Sequence, residues 1–141
     1  MVNRRARKDE VTTAEFQALA RFRQALRTFL RFSEAAARDA GVTPAQHQLM
    51  VAIKGWTGDH PPSITDLAGT LLLRHHSTVE LAARAEDAGL VVRHTDPRDG
   101  RRQQVVLTPL GEEKLGRLAA LHREELRRFR QETIEDLLAL G

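Results

Sequence analysis

The sequence has no cysteine and no tyrosine, and aromatic residues make up only 4% of its 141 positions. The absence of cysteine excludes disulfides, thiolate zinc sites, a cysteine nucleophile and a thiol redox sensor. No apolar run approaches the ~20 residues that a membrane-spanning helix needs, and the basic first residues lead into no apolar signal-peptide segment. We therefore expect a cytoplasmic protein that has no membrane partner.

Positive charge is present in only small excess, because 22 basic residues face 19 acidic ones and the net charge is +3. This balance does not by itself indicate nucleic-acid binding. The positions of the arginines along the chain are more informative, since a local basic patch is what binds phosphate.

Hydrophobic residues make up 41% of the sequence, which is enough for a packed core, and their spacing is mostly helical. Capping residues and apolar steps of three to four residues mark where helices begin and continue. The predicted helices are 13–39, 44–56, a short one capped by Ser63, 74–88, 109–130, and a separate short final helix that begins at Thr133.

Two β-rich runs, 90–95 and 103–107, follow the pair of short helices. Asp99-Gly100 lies between them and is typical of a hairpin turn. Two short helices joined by a tight turn form a helix-turn-helix, and an appended hairpin makes it a winged helix. The predicted fold is therefore mainly α with a small β-hairpin wing, a winged helix-turn-helix over 63–108 within a single domain of residues 1–141.

The segments on either side of the winged helix, 13–56 and 109–141, are predicted to be dimerisation and connecting helices. Their apolar faces could pack on each other within one chain, but association with the same faces of a second chain fits better. Residues 1–11 are predicted to be a basic, flexible tail, which could add unspecific phosphate contacts.

The start of the helix over 74–88 carries polar side chains of the kind that meet base edges. Arginine and histidine can donate to guanine acceptors, serine can donate or accept, and valine can contact a thymine methyl. The candidates for DNA contact on this helix are Arg74, His75, His76, Ser77, Val79 and Arg84. Glu80 could pair with Arg84 or accept a hydrogen bond from cytosine, and the sequence leaves both open.

The hairpin tip supplies the other candidates for DNA contact, Arg98, Asp99, Arg101 and Arg102. Arginine suits a narrow minor groove, where the potential is most negative, and Asp99 is close enough in sequence to hold one guanidinium. A solvated, charged hairpin tip is the alternative interpretation.

Catalytic and metal sites find little support in the sequence. No nucleophile elbow, glycine-rich phosphate loop or framed carboxylate pair is present. His75 and His76 are adjacent, so they point to different sides of a helix, and no cysteine completes a metal site. We expect neither an enzyme nor a cofactor, and Met50 and Trp56 are interpreted as core residues.

Three motifs in order resemble the MarR family of winged-helix transcription regulators, and the resemblance covers residues 13–140. They are Asp-Ala-Gly-Leu-Val-Val-Arg (87–93), Asp-Pro-Arg-Asp-Gly-Arg-Arg (96–102) and Val-Val-Leu-Thr-Pro-Leu-Gly (105–111). The resemblance implies that Asp99 orients Arg101 in the minor groove. It also implies that Thr108 and Gly111 hold structural positions at the start of the following helix.

The resemblance further implies a homodimer with interleaved terminal helices, a palindromic duplex target and, in many members, release by a small aromatic or phenolic ligand. Phe29, His47 and Trp56 are conceivable lining residues of a ligand pocket. We expect a ligand-responsive repressor, and the alternative is a winged-helix module that binds protein and not DNA.

Overall fold

The computed structural model describes residues 10–140, so the basic segment Arg4–Lys8 lies outside the described residues. The elements in chain order are α1 (Thr13–Asp39), α2 (Pro44–Lys54), α3 (Ile64–Leu71), α4 (His75–Asp87), β1 (Val91–Asp96), β2 (Asp99–Leu107) and α5 (Pro109–Ala139). The strands pair antiparallel as a two-stranded hairpin. The prediction of a mainly helical fold with a small hairpin is confirmed.

The helix starts follow the capping chemistry that the sequence predicts. Thr43 and Gln46 form a reciprocal capping box at α2, and Ser63 and Asp66 form another at α3. In each box a side-chain oxygen accepts a helix N–H that has no partner within the helix, which fixes the first residue. The sequence therefore determines where both helices begin.

The last helix differs from its prediction, because α5 continues to Ala139 and does not break before Thr133. The Thr133 hydroxyl donates to the Phe129 carbonyl, 2.7 Å away, and so serves the preceding turn of the same helix. Asp136 accepts two hydrogen bonds from Arg21. A threonine followed by an aspartate resembles a helix start, but no glycine or proline interrupts the helix there.

The hairpin turn also differs from its prediction, because it lies at Pro97 and Arg98 and not at Asp99-Gly100. Asp96 is paired with Asp99, which places Asp99 and Gly100 inside β2. Proline fixes the backbone angle that the first turn position requires, and the Asp96 carboxylate accepts from the Arg98 N–H at 2.8 Å. Local turn chemistry at Asp96-Pro97 thus prevails over the Asp-Gly signal.

The chain divides into two compact units, one of residues Glu34–Leu121 and one that combines the chain up to Ser33 with the chain from His122 onward. We call them the winged-helix unit and the terminal unit. The core of the winged-helix unit includes Leu49, Met50, Leu67, Leu90 and Val105, each at most 1% exposed. The interpretation of Met50 as a core residue agrees with its burial.

The terminal unit is held by aromatic packing between α1 and α5. Phe129 lies against Phe22 and Phe29, with ring centroids 6.0 and 5.7 Å apart. His122 packs edge-on against Phe29 and Phe32, and its ring nitrogen lies 2.8 Å from the Ser33 hydroxyl. The apolar faces of the terminal helices therefore pack partly on each other within one chain. Among residues 10–140, no helix is both long and apolar enough to cross a membrane.

Candidate nucleic-acid interface

The helix-turn-helix is formed by α3 and α4, which are joined by a turn at Leu72. Leu72 has a left-handed backbone, with φ of 56°, and its side chain is 91% exposed. On the inner face of α4, Thr78, Ala82 and Ala85 are fully buried. The small alanines let α4 pack closely on the body of the unit, and they fix which face of α4 remains outside.

The outer face of α4 begins with polar side chains in solvent. Arg74, His75 and His76 are exposed, whereas Ser77 and Val79 are half-buried. Within the described residues, Arg74 makes no side-chain bond that caps the helix. The first amides of α4 therefore keep free donors, which can bind an anion such as phosphate.

Further along α4, Ser77, Glu80 and Arg84 line a groove of about 240 Å³ together with Thr43 and Gln46 at the start of α2. No ion pair joins Glu80 to Arg84 in the part of the chain that the structure describes. Both charges thus remain available to a molecule outside the unit.

The wing tip, residues 96–102, holds its charged side chains by short-range contacts. The Asp99 carboxylate accepts the Arg101 N–H at 3.0 Å and lies 3.5 Å from the Arg101 Nε. The Arg101 side chain is 94% exposed. The arrangement agrees with the expected pairing, in which an aspartate orients an arginine that points away from the protein.

Asp96 stabilises the turn of the wing tip. The N–H of Arg98 donates to its carboxylate, and this bond is the largest cause that lowers the pKa of Asp96, helped by the charges of Arg98 and Arg102. Asp96 is therefore ionised at neutral pH and keeps the turn closed beside the exposed side chain of Arg98.

Arg102 differs from the other wing arginines, because its guanidinium is bonded to the body of the unit. Its Nη2 donates to the Ser63 hydroxyl at 2.9 Å and lies 3.4 Å from the Asp66 carboxylate. Ser63 is buried and caps α3. Arg102 thus connects the wing to the first helix of the helix-turn-helix.

A second connection, which the sequence analysis missed, joins the end of α4 to β1. The Glu86 carboxylate accepts the backbone N–H of Arg93 at 2.8 Å and its guanidinium at 3.1 Å. The backbone bond is the largest cause that lowers the pKa of Glu86, followed by the side-chain bond. Spacing alone could not show it, because the contact depends on how the chain turns at Gly89.

Thr108 and Gly111 occupy the structural positions that the family resemblance implies. The Thr108 hydroxyl donates to the Gly89 carbonyl and accepts the Gly111 N–H at 3.1 Å. A Cβ atom at Gly111 would lie 2.1 Å from the Leu90 carbonyl oxygen. Only glycine allows α5 to start so close to the wing.

The conceivable ligand-lining residues are not brought together in one unit. Phe29 belongs to the terminal unit, whereas His47 and Trp56 belong to the winged-helix unit. Trp56 borders a cavity of about 260 Å³ near the base of the wing, which Asp66, Asp96 and Arg102 also line. Across residues 10–140, no three His, Cys, Asp or Glu side chains are grouped so that they could hold a metal ion.

Comparison with known proteins agrees with this architecture. The sequence profile described as the MarR family matches residues 40–102. No curated protein matches the sequence. Among solved structures, AbsC of Streptomyces coelicolor, a MarR family transcriptional regulator, is 26% identical with a TM-score of 0.74, over 93% of this chain and 89% of that one.

Two more distant structures share the fold. A mutant of S. aureus MepR, solved bound to an oligodeoxyribonucleotide, is 17% identical with a TM-score of 0.66, over 85% of this chain and 95% of that one. Bordetella bronchiseptica BpsR, whose DNA binding is regulated by 6-hydroxynicotinic acid, is 18% identical with a TM-score of 0.64. The match covers 84% of this chain and 86% of BpsR.

The arrangement of α3, α4 and the β1–β2 hairpin defines a winged helix-turn-helix protein, with α4 as the second helix of the motif and the hairpin as the wing. The profile covers the helix-turn-helix and reaches into the wing, and the likeness to AbsC extends over nearly the whole chain. Over the part of the chain that the profile covers, the sequence is similar to the MarR family of transcriptional regulators, and the fold is that of AbsC.

Proposed function

We propose that the protein is a cytoplasmic, homodimeric repressor that binds a palindromic DNA site and is released by a small aromatic or phenolic ligand. The observation that carries the proposal is the pairing of two exposed basic surfaces on one compact unit. The first turn of α4 and the wing tip both present arginines to solvent, and both belong to the winged-helix unit. Such a pair suits one major groove and the adjacent minor groove.

In this proposal α4 enters the major groove. Arg74, His75, His76 and Ser77 reach base edges or phosphate at the start of the helix, and Val79 lies against a thymine methyl. Arg84, farther along, is exposed and free to meet the sugar-phosphate backbone. The uncapped amides of the first turn add a phosphate site.

The wing reaches the minor groove in the same proposal. Arg98 and Arg101 are exposed, and Asp99 orients the Arg101 side chain. A guanidinium held in one direction loses less conformational entropy when it enters the groove. Narrow minor grooves of A·T-rich DNA have the most negative potential, so the wing favours such flanks.

The homodimer is supported by apolar side chains that remain exposed on the terminal unit. Phe16 and Leu19 on α1, and Ile134, Leu137 and Leu138 on α5, are between 45% and 74% exposed. Exposed apolar side chains concentrated on terminal helices are typical of a protein–protein interface. Pairing with the same faces of a second copy covers them and creates the two-fold symmetry that a palindrome matches.

Ligand control is supported by the similarity to the MarR family and by the absence of cysteine from the sequence. The DNA binding of BpsR, a protein of the same fold, is regulated by 6-hydroxynicotinic acid. The sequence has no cysteine, so the present protein cannot sense oxidants through a thiol. A ligand that binds one conformation of the dimer more tightly would shift the population away from the DNA-binding form.

Selection of bound sequences from a random duplex pool tests the proposal. We expect enrichment of an inverted repeat whose half-sites are about one helical turn apart, and binding that weakens steeply with salt. If no sequence is enriched, the DNA-binding proposal is wrong and the protein-interaction module becomes the better interpretation. Enrichment of a single half-site without an inverted repeat would contradict the homodimer but not DNA binding.

A further inference from the structure

Arg102 lies on the wing but is bonded differently from the tip arginines. Its Nη2 atom is 2.9 Å from the buried Ser63 hydroxyl and 3.4 Å from an Asp66 oxygen. The Arg101 side chain, by contrast, is 94% exposed and pairs with Asp99 inside the hairpin. The two adjacent arginines therefore point in different directions: Arg102 toward the body of the unit and Arg101 into solvent.

The position of Arg102 along β2 places this contact closer to the wing tip than the backbone bonds that attach β2 to the body. The backbone of β2 is attached to the segment before α3 by the Val105 N–H, which donates to the Pro62 carbonyl at 2.9 Å, and by a bridge between Ser63 and Gln104. Arg102 lies two residues beyond Gln104, toward the tip. Among residues 97–102, all of which the structure describes, Arg102 alone donates side-chain hydrogen bonds to the body of the winged-helix unit, one to Ser63 and one to Asp66.

We propose that Arg102 is a wing-positioning residue and not a DNA contact, with Ser63 and Asp66 as its partners. This inference rests on the proposed DNA-binding function, and it revises the prediction that Arg102 touches DNA. Arg102 fixes the angle at which the hairpin leaves the helix-turn-helix, so that Arg98 and Arg101 reach the minor groove while α4 occupies the major groove.

The charges around the contact support a positioning role. Asp66 and Asp96 both line the cavity beside Arg102, and the Arg102 charge contributes to lowering the pKa of Asp96. Moving the Arg102 guanidinium onto DNA would cost the bonds from its Nη2 to the Ser63 hydroxyl and the Asp66 carboxylate. Because the pair with Asp66 is partly exposed, it adds little to global stability.

Hydrogen exchange in the free protein tests the contact without DNA. We expect Arg102→Ala and Asp66→Asn to speed exchange of the amides between residues 99 and 103, while the thermal unfolding midpoint stays nearly unchanged. The matched control, Arg101→Ala, lies on the same strand and should leave that exchange as in the wild type. Equal protection of the wing in the Arg102→Ala and wild-type proteins would overturn the inference.

Salt-dependent binding to the selected duplex separates positioning from direct contact. We expect Arg102→Ala and Asp66→Asn each to weaken binding roughly tenfold, and the double variant to be no worse than either alone. For both variants the slope of the logarithm of the binding constant against the logarithm of the salt concentration should match the wild type. Arg101→Ala should reduce the magnitude of that slope by about one. A lower slope for Arg102→Ala, with normal binding by Asp66→Asn, would make Arg102 a phosphate contact and overturn the inference.

The two measurements also separate this inference from the function on which it rests. If the wild type binds no duplex, the proposed function fails, and the exchange experiment still decides whether Arg102 holds the wing. If the wild type binds but the Arg102→Ala and Asp66→Asn variants bind equally well, positioning fails while the proposed function stands.

Discussion

Glycine is required at position 111 because the backbone there lies very close to the backbone of Leu90. A Cβ atom there would lie 2.1 Å from the Leu90 carbonyl oxygen, which already accepts the Thr108 N–H. We expect Gly111→Ala to lower the free energy of unfolding by about 2–3 kcal/mol, because α5 must shift away from the wing. Urea denaturation measures the change.

Gly116 is the matched control for this prediction, since it lies in the same helix with open space around its Cα. Gly116→Ala should raise the free energy of unfolding by about 0.5–1 kcal/mol, because alanine restricts the unfolded chain and favours helix. Equal effects of the two substitutions would show that Leu90 does not constrain Gly111.

Arg101 is the residue on which the minor-groove proposal depends most. Arg101→Ala should weaken binding to the selected duplex by about 1–3 kcal/mol, because the oriented guanidinium is lost from the groove. Fluorescence anisotropy at fixed salt measures the loss. Arg23→Ala removes an exposed arginine of the terminal unit, and it should bind like the wild type. Similar losses for both would indicate a general charge effect.

Sequence spacing predicted the exposure of Arg74, His75 and Arg84, because helical periodicity determines which side chains face the core. It also predicted that Asp99 could hold an arginine, a contact between residues two apart. The partners of Arg102 could not be predicted in the same way. Ser63 and Asp66 are more than 35 residues away in sequence, and their approach depends on how the wing folds back.

At the scale of elements, Glu86 and Arg93 join the end of α4 to β1. The pKa of Glu86 is lowered in the folded protein, so the ionised form contributes stability above its unfolded pKa of about 4.3 and loses it as the pH falls through the lower folded value. We expect Glu86→Gln to destabilise the protein at neutral pH and to approach the stability of the wild type at an acidic pH, at which the Glu86 carboxylate is protonated. Denaturation at both pH values measures this.

Glu124→Gln, at an exposed position of α5, is the control for the pH experiment. It should leave the stability difference between the two pH values as in the wild type. If Glu86→Gln showed the same acid dependence as the wild type, the contact with Arg93 would not couple α4 to the wing.

Element boundaries were predictable where capping residues set them and less so where two signals competed. The starts of α2 and α3 follow Thr43 and Ser63 closely. The hairpin turn moved to Pro97-Arg98, because proline and the Asp96 side chain specify a turn more strongly than Asp-Gly does. A helix end before Thr133 was predicted, but α5 is continuous there. Sequence alone does not show that the Thr133 hydroxyl donates to the Phe129 carbonyl within the same helix.

At the scale of the whole molecule, the terminal unit leaves apolar side chains exposed that a second copy could cover. Leu19→Glu and Leu138→Glu should each weaken dimerisation by about 2–4 kcal/mol, because a carboxylate would be buried at the interface. Analytical ultracentrifugation over a range of concentrations measures this. Leu72→Glu, at a residue 91% exposed in the helix-turn-helix, should leave the association unchanged. A monomeric wild type would contradict the proposed homodimer.

The bonds that tie the wing to both helices of the helix-turn-helix have a consequence for the DNA sites that the protein can use. Glu86 holds β1 to α4, and Ser63 holds β2 to α3 through Arg102. The separation between the bases met by α4 and the flank met by the wing is therefore fixed within each copy. Inserting one base pair between those two positions should abolish the wing's contribution, whereas the flank itself can vary in sequence as long as its groove stays narrow.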